Sequence, residues 1–177
     1  MKSIKFLILP LVAAFFAGCG KAATKAADGT NSAAASDYYM PSGPQPRLQT
    51  MKIYLGAETL DAELALTREE EATGLMYRTN ITDQTAMLFV LPEPLLPPGG
   101  FWMTNCPVSL SAAYIGPDGV IEEIHHLEKN DNVPVLASHN NIVYVLEVND
   151  GWFARHHINP GTLIRTGRGS LAETFRN

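Results

Sequence analysis

The sequence has few cysteines and few basic residues. Only Cys19 and Cys106 occur among 177 residues, which excludes a disulfide-stapled scaffold and a four-cysteine zinc module. Lys and Arg number 13 against 18 Asp and Glu, a formal charge of -5. Removing an N-terminal segment that contains Lys2 and Lys5 would leave 11 against 18, a charge of -7. Proteins that bind nucleic acid by neutralising phosphates usually carry the opposite sign, so we expect no nucleic-acid partner.

The patterns of several common catalytic and cofactor sites are also missing. Gly167 and Gly169 flank Arg168 in a polar tail and form no phosphate-binding loop. Ser109 and Ser111 lie outside any Gly-x-Ser-x-Gly elbow. The five histidines have neither His-x-His nor His-x-x-x-His spacing, so a metal site would need residues brought together by the fold. We therefore predict no metal and no cofactor.

The N-terminus has the order of residues found in a secretory signal. Lys2 and Lys5 precede an apolar run over residues 6–17, which is shorter than the roughly 20 residues that span a bilayer as a helix. The sequence Phe-Ala-Gly-Cys at 16–19 resembles the lipobox of bacterial lipoproteins. The resemblance implies a signal peptide over 1–18 and a lipid on Cys19 that anchors the protein to a membrane. An ordinary signal peptide cut elsewhere, or an apolar N-terminal helix, is the alternative.

The resemblance also predicts where the protein is located. It implies export to the cell envelope, facing the periplasm or the exterior. Gly20, rather than Asp, follows the cysteine, which favours the outer membrane in a bacterium with two membranes. Residues 19–47 are rich in Ala, Ser and Pro and have no hydrophobic period, so we predict a flexible linker. A single globular domain is expected over 48–177.

Short apolar runs separated by turn residues predict the fold of this domain. Residues 60–66 alternate as in a half-buried strand. Thr67 and Glu70 have the spacing of a capping box for a helix over about 68–75 that stops near Gly74. Further strands are predicted at 86–91, 109–115, 120–127, 141–148 and 162–166, and a short helix after Asp150. These elements favour a mainly β, antiparallel sandwich or barrel-like domain with one or two short helices.

Four segments are more specific together than any one alone. They are GLMYR at 74–78, MLF at 87–89, FWMTN at 101–105, and VLE at 145–147 followed by GW at 151–152. In order and spacing they resemble the bacterial and archaeal domain of unknown function 192 family, over roughly residues 50–166. The resemblance implies a small, mostly β domain that is often exported and has no established activity.

The chain departs from that family pattern at several positions. Cys106 stands where the family usually has Thr, and Ser109 and Ser111 stand for a Pro and an Asp. Thr162 follows Gly161 where a Gly-Asp pair is usual. A family mechanism that needed either carboxylate would lack it in this chain.

The aromatic segment is a candidate binding surface. Phe101, Trp102 and Met103 form an apolar cluster on or beside a loop, where aromatic rings could stack on a ligand or a partner. Asn105 and Arg78 could add hydrogen bonds and charge. Alternatively, Trp102 and Met103 plug one end of the sandwich and Asn105 caps loop backbone.

Arg78 is the only Lys or Arg between Arg68 and Lys129. It could bind a carboxylate or a phosphate of a ligand. It could equally form an internal ion pair, for which Glu147 is one possible partner.

Glu147 lies in the apolar strand NIVYVLEV, where period 2 places it on the face of Val143 and Val145. An unpaired buried carboxyl has a raised pKa, which makes it a functional candidate. Glu147 could instead sit at the rim of the sheet. Cys106 could act as a nucleophile beside a histidine, but a buried and inert replacement for Thr is favoured, because no cation adjoins it in sequence.

The sequence favours a non-catalytic, lipid-anchored envelope module. It would bind an unknown small ligand or envelope protein through Arg78, Phe101, Trp102, Met103, Asn105 and Glu147. The alternative is an envelope enzyme, hydrolase-like, that uses Glu147 as acid or base on a glycan or another polar substrate. A second alternative is a purely structural lipoprotein whose aromatic cluster only packs.

Overall fold

The structure is a computed structural model that describes residues 40–176. The predicted signal peptide, Cys19 and the linker up to residue 39 lie outside the described residues. Among the residues that are described, no helix is both long and apolar enough to cross a membrane.

The described chain is mostly β-strand. The strands are β1 Thr50–Leu55, β2 Glu58–Ala65, β3 Ala86–Leu95, β4 Gly100–Phe101, β5 Leu110–Ile115, β6 Ile121–Leu127, β7 Val135–Leu136, β8 Ile142–Asn149, β9 Ile164–Thr166 and β10 Gly169–Ser170. The helices are α1 Arg68–Thr73, α2 Trp152–Arg155 and α3 Leu171–Phe175. The prediction of a mainly β domain with short helices is confirmed.

Eight of the strands form one curled sheet in the order β10-β9-β1-β2-β3-β8-β5-β6. All neighbours in this sheet are antiparallel except β2 and β3, which run parallel because α1 and the following loop cross between them. The other two strands, β4 and β7, form a separate antiparallel ladder. The predicted strands at 109–115 and 120–127 are present as β5 and β6 and pair as an antiparallel hairpin.

The central strands β5 and β8 are buried on both faces of the sheet. Side chains of successive strand residues point to opposite sides, and the two sides carry separate apolar clusters. One cluster includes Leu146 and Val148 and is covered by Trp152, Phe153 and Leu171 of the helices. We call the other side, which includes Met87 and Val145, the Glu147 face. Double-sided burial explains why β5 and β8 read as continuous apolar runs rather than as alternating patterns.

The two longer helices begin at capping boxes. Thr67 accepts a hydrogen bond from the Glu70 N–H, and the Glu70 carboxylate accepts one from the Thr67 N–H, as predicted. Gly74 ends α1 with φ +48°, and a Cβ there would lie 3.3 Å from the Phe89 ring. Gly167, Arg168 and Gly169 are predicted in a polar tail, but Gly169 belongs to β10, and α3 follows directly. Ser170 and Glu173 form the capping box of α3.

The helix predicted after Asp150 is present as α2, but Asp150 is not its cap. Gly151 is the N-cap of α2, with φ +71° and no side-chain cap. The Asp150 carboxylate is engaged elsewhere, because it accepts a hydrogen bond from the Ser111 hydroxyl and lies 2.8 Å from His126 Nδ1.

The described residues that precede β1 contact the domain. The Gln45 side-chain amide donates to the carbonyl oxygens of Glu70 and Gly74, at 3.1 and 2.8 Å. Both carbonyls lie at the C-terminal end of α1, where the Glu70 carbonyl also accepts the Gly74 N–H at 2.8 Å. The Tyr77 hydroxyl donates to the Pro41 carbonyl at 2.8 Å. Residues 41–45 are thereby bonded to α1 and to the turn after it.

Substituting Thr67 by Ala tests the capping box of α1. Thr67→Ala removes the oxygen that accepts the Glu70 N–H, so we expect the free energy of unfolding to fall by about 1 kcal/mol. Thr67→Ser keeps the oxygen and should lose much less. Urea unfolding of both variants measures the difference, and equal stability of Thr67→Ala and the parent protein would contradict the capping role.

Candidate functional site

A row of paired residues crosses the Glu147 face. Glu63 of β2 pairs with Met87 of β3, Met87 pairs with Glu147 of β8, and Glu147 pairs with Ala112 of β5. Residues paired across neighbouring strands project to the same side of a sheet. Two carboxyl groups therefore lie on one face, two strands apart, with Met87 between them.

Two connections cover this row. The turn at 74–78 and the loop at 101–106 are joined by a hydrogen bond from the Tyr77 N–H to the Asn105 carbonyl, at 2.8 Å. The Cys106 thiol lies 3.7 Å from the Leu75 carbonyl. Residues 87–89 and 145–147 thus form strands beneath, and the segments at 74–78 and 101–105 form the cover, whereas Trp152 of the fourth motif packs on the other face of the sheet.

The cover contains unusual backbone geometry. Tyr77 has φ +63° and Asn105 has φ +58°. A left-handed conformation is uncommon for Asn and costly for an aromatic residue. Such strain, of order 1–3 kcal/mol each, clusters at functional sites. Tyr77 and Asn105 are hydrogen-bonded directly to each other, so the backbone strain is concentrated at the contact between the turn and the loop.

Arg78 forms an internal ion pair, but with Glu63 rather than with Glu147. Its Nη1 and Nη2 lie 2.6 and 2.9 Å from the two oxygens of Glu63, a bidentate geometry. The Leu48 N–H donates to the same carboxylate at 2.8 Å. Burial by itself would raise the pKa of Glu63, but the hydrogen bonds from Arg78 and Leu48 outweigh it and lower that pKa. Glu63 is therefore an ionised, fully engaged carboxylate.

The pKa of Glu147 is shifted in the opposite direction from that of Glu63. Glu147 is 4% exposed, and burial raises the pKa of its carboxyl to about 8. Among residues 40–176 no cation forms an ion pair with it. It lies on the face of Val145 as predicted, but Val143 packs in the other cluster. The register of β3 and β8 shifts between Val90 and Leu95, which reverses the faces at that end of β8.

Cys106 is buried and its thiol has a raised pKa. Burial first, and the nearby charge of Glu147 second, raise the pKa of its thiol to about 12. A thiolate nucleophile at this position is therefore disfavoured, which agrees with the sequence-based preference for an inert Thr replacement.

The structure divides the predicted aromatic cluster. Met103 is 3% exposed and belongs to the core of the Glu147 face. Phe101 is partly buried, with its ring edge-on to Phe89 at 5.1 Å, and its N–H donates to the Tyr114 hydroxyl. Trp102 is partly exposed. The packing alternative thus describes Met103, whereas Trp102 has a solvent-accessible part.

An open polar cleft adjoins the Arg78–Glu63 pair. Its volume is about 330 Å³, and its lining is almost entirely polar: Arg47, Asp61, Glu63, Arg78, Asn80, Thr82, Gln84, Thr85 and Ala86. Arg78 is the one predicted site residue in this lining. Sequence reasoning missed the others, and Glu63 gave no usable signal, because it occupies a polar place in an alternating strand. Asp61, at the rim, pairs with Lys52 at 3.2 Å.

A second polar cluster lies where β5 begins and β6 ends. The Ser111 hydroxyl donates to Asp150 and accepts from the Gly151 N–H. His126 lies between Asp150 and Glu128, whose hydrogen bonds raise the pKa of its imidazole. Within the described part of the chain, no group of three His, Cys, Asp or Glu residues has metal-binding geometry. Ser111, which stands for the family's Asp, here holds the turn that starts α2.

Comparisons with known proteins extend these observations. The profile of DUF192, described as an uncharacterized ACR, matches residues 51–166. A crystal structure of a Novosphingobium aromaticivorans protein of unknown function is similar, with 31% identity, a TM-score of 0.62, and coverage of 70% of this chain and 91% of that one. A Sinorhizobium meliloti protein described as a "putative transcription regulator" is similar with 27% identity, a TM-score of 0.63, and coverage of 69% and 97%. No curated protein matches the chain.

Breaking the Arg78–Glu63 pair should destabilise the domain. Arg78→Ala leaves the Glu63 carboxylate buried without its cation, so we expect a loss of about 3 kcal/mol in the free energy of unfolding at neutral pH. Since the folded pKa of Glu63 is lowered, the stability it contributes is present above its unfolded pKa and is lost as the pH falls through the folded value.

The double variant Arg78→Met with Glu63→Gln is the matched control. It removes both charges and should recover most of the loss. Urea unfolding at neutral pH measures all three proteins. A loss for Arg78→Ala no larger than that for the exposed Arg68→Ala would contradict the structural importance of the pair.

Glu147 should make the domain less stable as the pH rises. Its folded pKa, about 8, lies above the ordinary value of 4.5, so the folded state binds the extra proton between these values. The free energy of unfolding should fall by up to about 1.4 kcal/mol per pH unit in that window. Glu147→Gln keeps the shape and cannot ionise.

Urea unfolding between pH 5 and 9 tests this expectation. The Gln variant should be the more stable protein at pH 8 and should lose most of the slope. An unchanged slope in Glu147→Gln would show that Glu147 is ionised and solvated in the folded state.

Proposed function

This chain belongs to the DUF192 family, and we propose that it is a lipid-anchored envelope protein whose domain binds a small polar ligand in the polar cleft without catalysis. The family is uncharacterised. The proposal therefore rests on the cleft beside Arg78 and Glu63, which is the observation that carries it.

The size and charge of the cleft indicate the kind of ligand. About 330 Å³ is at the small end of ligand sites, which suits a molecule of monosaccharide or amino-acid size. Two arginines and two carboxylates line it, so their formal charges cancel. The remaining lining supplies hydroxyl and amide groups from the residues Asn80, Thr82, Gln84 and Thr85. A neutral, hydroxyl-rich or zwitterionic ligand matches this surface better than a strongly charged one.

The ion pair gives the cleft a rigid wall. Glu63 uses two N–H groups of Arg78, out of the five that a guanidinium carries. The bidentate contact holds the guanidinium plane in one orientation, and a preordered donor loses less entropy when a ligand binds. Arg47, an exposed residue at the same cleft, is the second cation.

The N-terminal sequence supports the cellular location. The two lysines, the apolar run and the Phe-Ala-Gly-Cys sequence support export and acylation of Cys19. With the lipid in the bilayer, the domain would face the periplasm or the exterior of the cell. An envelope protein is the alternative binding partner, and it would contact the partly exposed Trp102. The acidic net charge argues against nucleic acid as a partner.

One observation favours the enzyme alternative. Glu63 and Glu147 share a sheet face, yet their environments push their pKa values apart, so that one carboxyl is ionised and the other is protonated. Such pairs divide acid and base roles in hydrolases. However, Glu147 is not part of the cleft lining and Glu63 is occupied by Arg78, so binding remains the better supported function.

Thermal unfolding with and without candidate ligands tests binding. The probes are glucose, N-acetylglucosamine, glycine and glutamine, added to the full-length protein. A probe at 100 times its dissociation constant should stabilise the native state by about 2.7 kcal/mol. Arg47→Ala should abolish the shift, because it removes an exposed cleft cation without disturbing the core. Arg165→Ala, an exposed arginine on β9, is the matched control and should keep the shift.

Other outcomes of this experiment separate the alternatives. A probe that binds and is then consumed, with consumption lost in Glu147→Gln and binding retained, would replace the binding proposal by the enzyme. No shift with any sugar or amino acid, together with strong destabilisation by Trp102→Ala, would favour the structural alternative.

A further inference from the structure

A two-stranded flap lies over the Glu147 face. The ladder of β4 and β7 joins residues 95–104 to residues 132–137, and we call these two segments the flap. Backbone hydrogen bonds extend the ladder at both ends: the Ala137 N–H donates to the Gly99 carbonyl at 2.9 Å, and the Met103 N–H donates to the Asp131 carbonyl at 2.8 Å. The flap is therefore a continuous piece of structure.

Residues 95–104 and 132–137 include no charged residue, although the exposed Asp131 borders the second segment, and apolar side chains lie on both sides of the flap. Its sequences are LLPPGGFWMT and NVPVLA. Leu95, Phe101 and Val135 pack inward against the core. On the solvent side, Leu96 is 57%, Val133 is 68% and Leu136 is 45% exposed. Exposed apolar groups concentrated on one uncharged element indicate a surface that meets something apolar.

The first described residues are linked to the end of the flap's first segment through Tyr77. Pro41 accepts a hydrogen bond from the Tyr77 hydroxyl, and the Tyr77 N–H donates to the carbonyl of Asn105. Asn105 is the residue that follows the first flap segment. The described chain nearest to Cys19 in sequence is therefore bonded to the same turn that bonds the loop after the flap.

We propose that the flap rests on the lipid bilayer that carries the anchor, with Leu96, Val133 and Leu136 at the level of the headgroups. This inference rests on the proposed lipidation of Cys19. The 21 Cα–Cα steps from Cys19 to Met40 can span at most about 70 Å, so the tether keeps the domain close to the membrane that holds the anchor.

The lipid anchor explains how a small apolar surface can keep the flap in contact with the bilayer. Three partly exposed side chains bind a bilayer weakly from solution, but a lipid anchor makes the contact intramolecular and raises its effective concentration. The flap carries no positive charge, and the protein is acidic overall. We therefore expect binding to zwitterionic lipid that is insensitive to salt, rather than electrostatic attraction to anionic lipid.

Nitroxide labels on the full-length lipoprotein in phosphatidylcholine and phosphatidylethanolamine vesicles test the proposal. Val133→Cys and Leu136→Cys place labels on the flap, and Tyr54→Cys places one on β1 at a side chain of similar exposure, 40%. Cys106 is buried and its thiol pKa is about 12, so it should not be labelled. Collisions of each label with oxygen, which concentrates in lipid, are compared with collisions with a water-soluble nickel chelate.

The flap labels should show an oxygen-to-nickel collision ratio about threefold above that of the Tyr54 label, unchanged in high salt. Equal ratios at all three positions in protein that floats with the vesicles would overturn the flap contact and leave the anchor intact. Protein that does not float, and that behaves like Cys19→Ser, would overturn the anchor and the flap contact together. Spin–spin broadening at Val133, with or without vesicles, would show a second copy on the flap and also overturn the proposal.

Discussion

The buried ion pair between Glu63 and Arg78 links the parts of this domain that carry its candidate function. Glu63 projects from β2 onto a covered sheet face, where an ionised carboxylate needs a cation and hydrogen-bond donors. Arg78 meets that need in bidentate geometry and Leu48 adds its N–H. The pair therefore fixes the turn at 74–78, and with it the neighbouring loop at 101–106. It also forms one wall of the polar cleft.

The second carboxyl group on the same face, that of Glu147, has a pKa shifted in the opposite direction. Glu147 lies two strands from Glu63 and forms no ion pair with a cation of residues 40–176, so burial raises its pKa to about 8. A neutral acid at the centre of a sheet costs less than a charged one but still more than an apolar residue of similar size. That cost, and the left-handed residues Tyr77 and Asn105 above it, are concentrated where the four sequence motifs meet. The convergence gives the motifs a structural meaning: they build and cover one row of residues.

The proposed functions use different surfaces of the same arrangement. The cleft is polar and its charges balance, which suits a small neutral or zwitterionic ligand. The flap is uncharged and apolar on its outer side, which suits a lipid surface. The cleft is connected to the turn at 74–78 through Arg78. The flap is connected to the same turn through Asn105, the residue after its first segment, whose carbonyl accepts the Tyr77 N–H. A lipid-anchored binding protein needs such a division, because one surface faces the membrane and another must remain open to the ligand.

The sequence by itself determined the local structure and the membership of a family. Alternation and apolar runs predicted six of the strands, Thr67 and Glu70 predicted the start of α1, and the motifs identified the family. Each of these signals is local, since periodicity, capping and motif spacing act over a few residues. Short elements such as β4, β7 and α3 were missed, because two to five residues carry too little periodicity to stand out.

The tertiary structure decided the pairing of charges and the surfaces. Arg78 could be expected to find a carboxylate, but the choice of Glu63 over Glu147 depends on β2 and β3 lying parallel in register. Likewise, the burial of Met103 and the exposure of Val133 depend on which side of the β4–β7 ladder faces the core. Ion pairs and burial depend on distances between residues that are far apart in the chain. These distances are fixed only when the sheet has folded around its core.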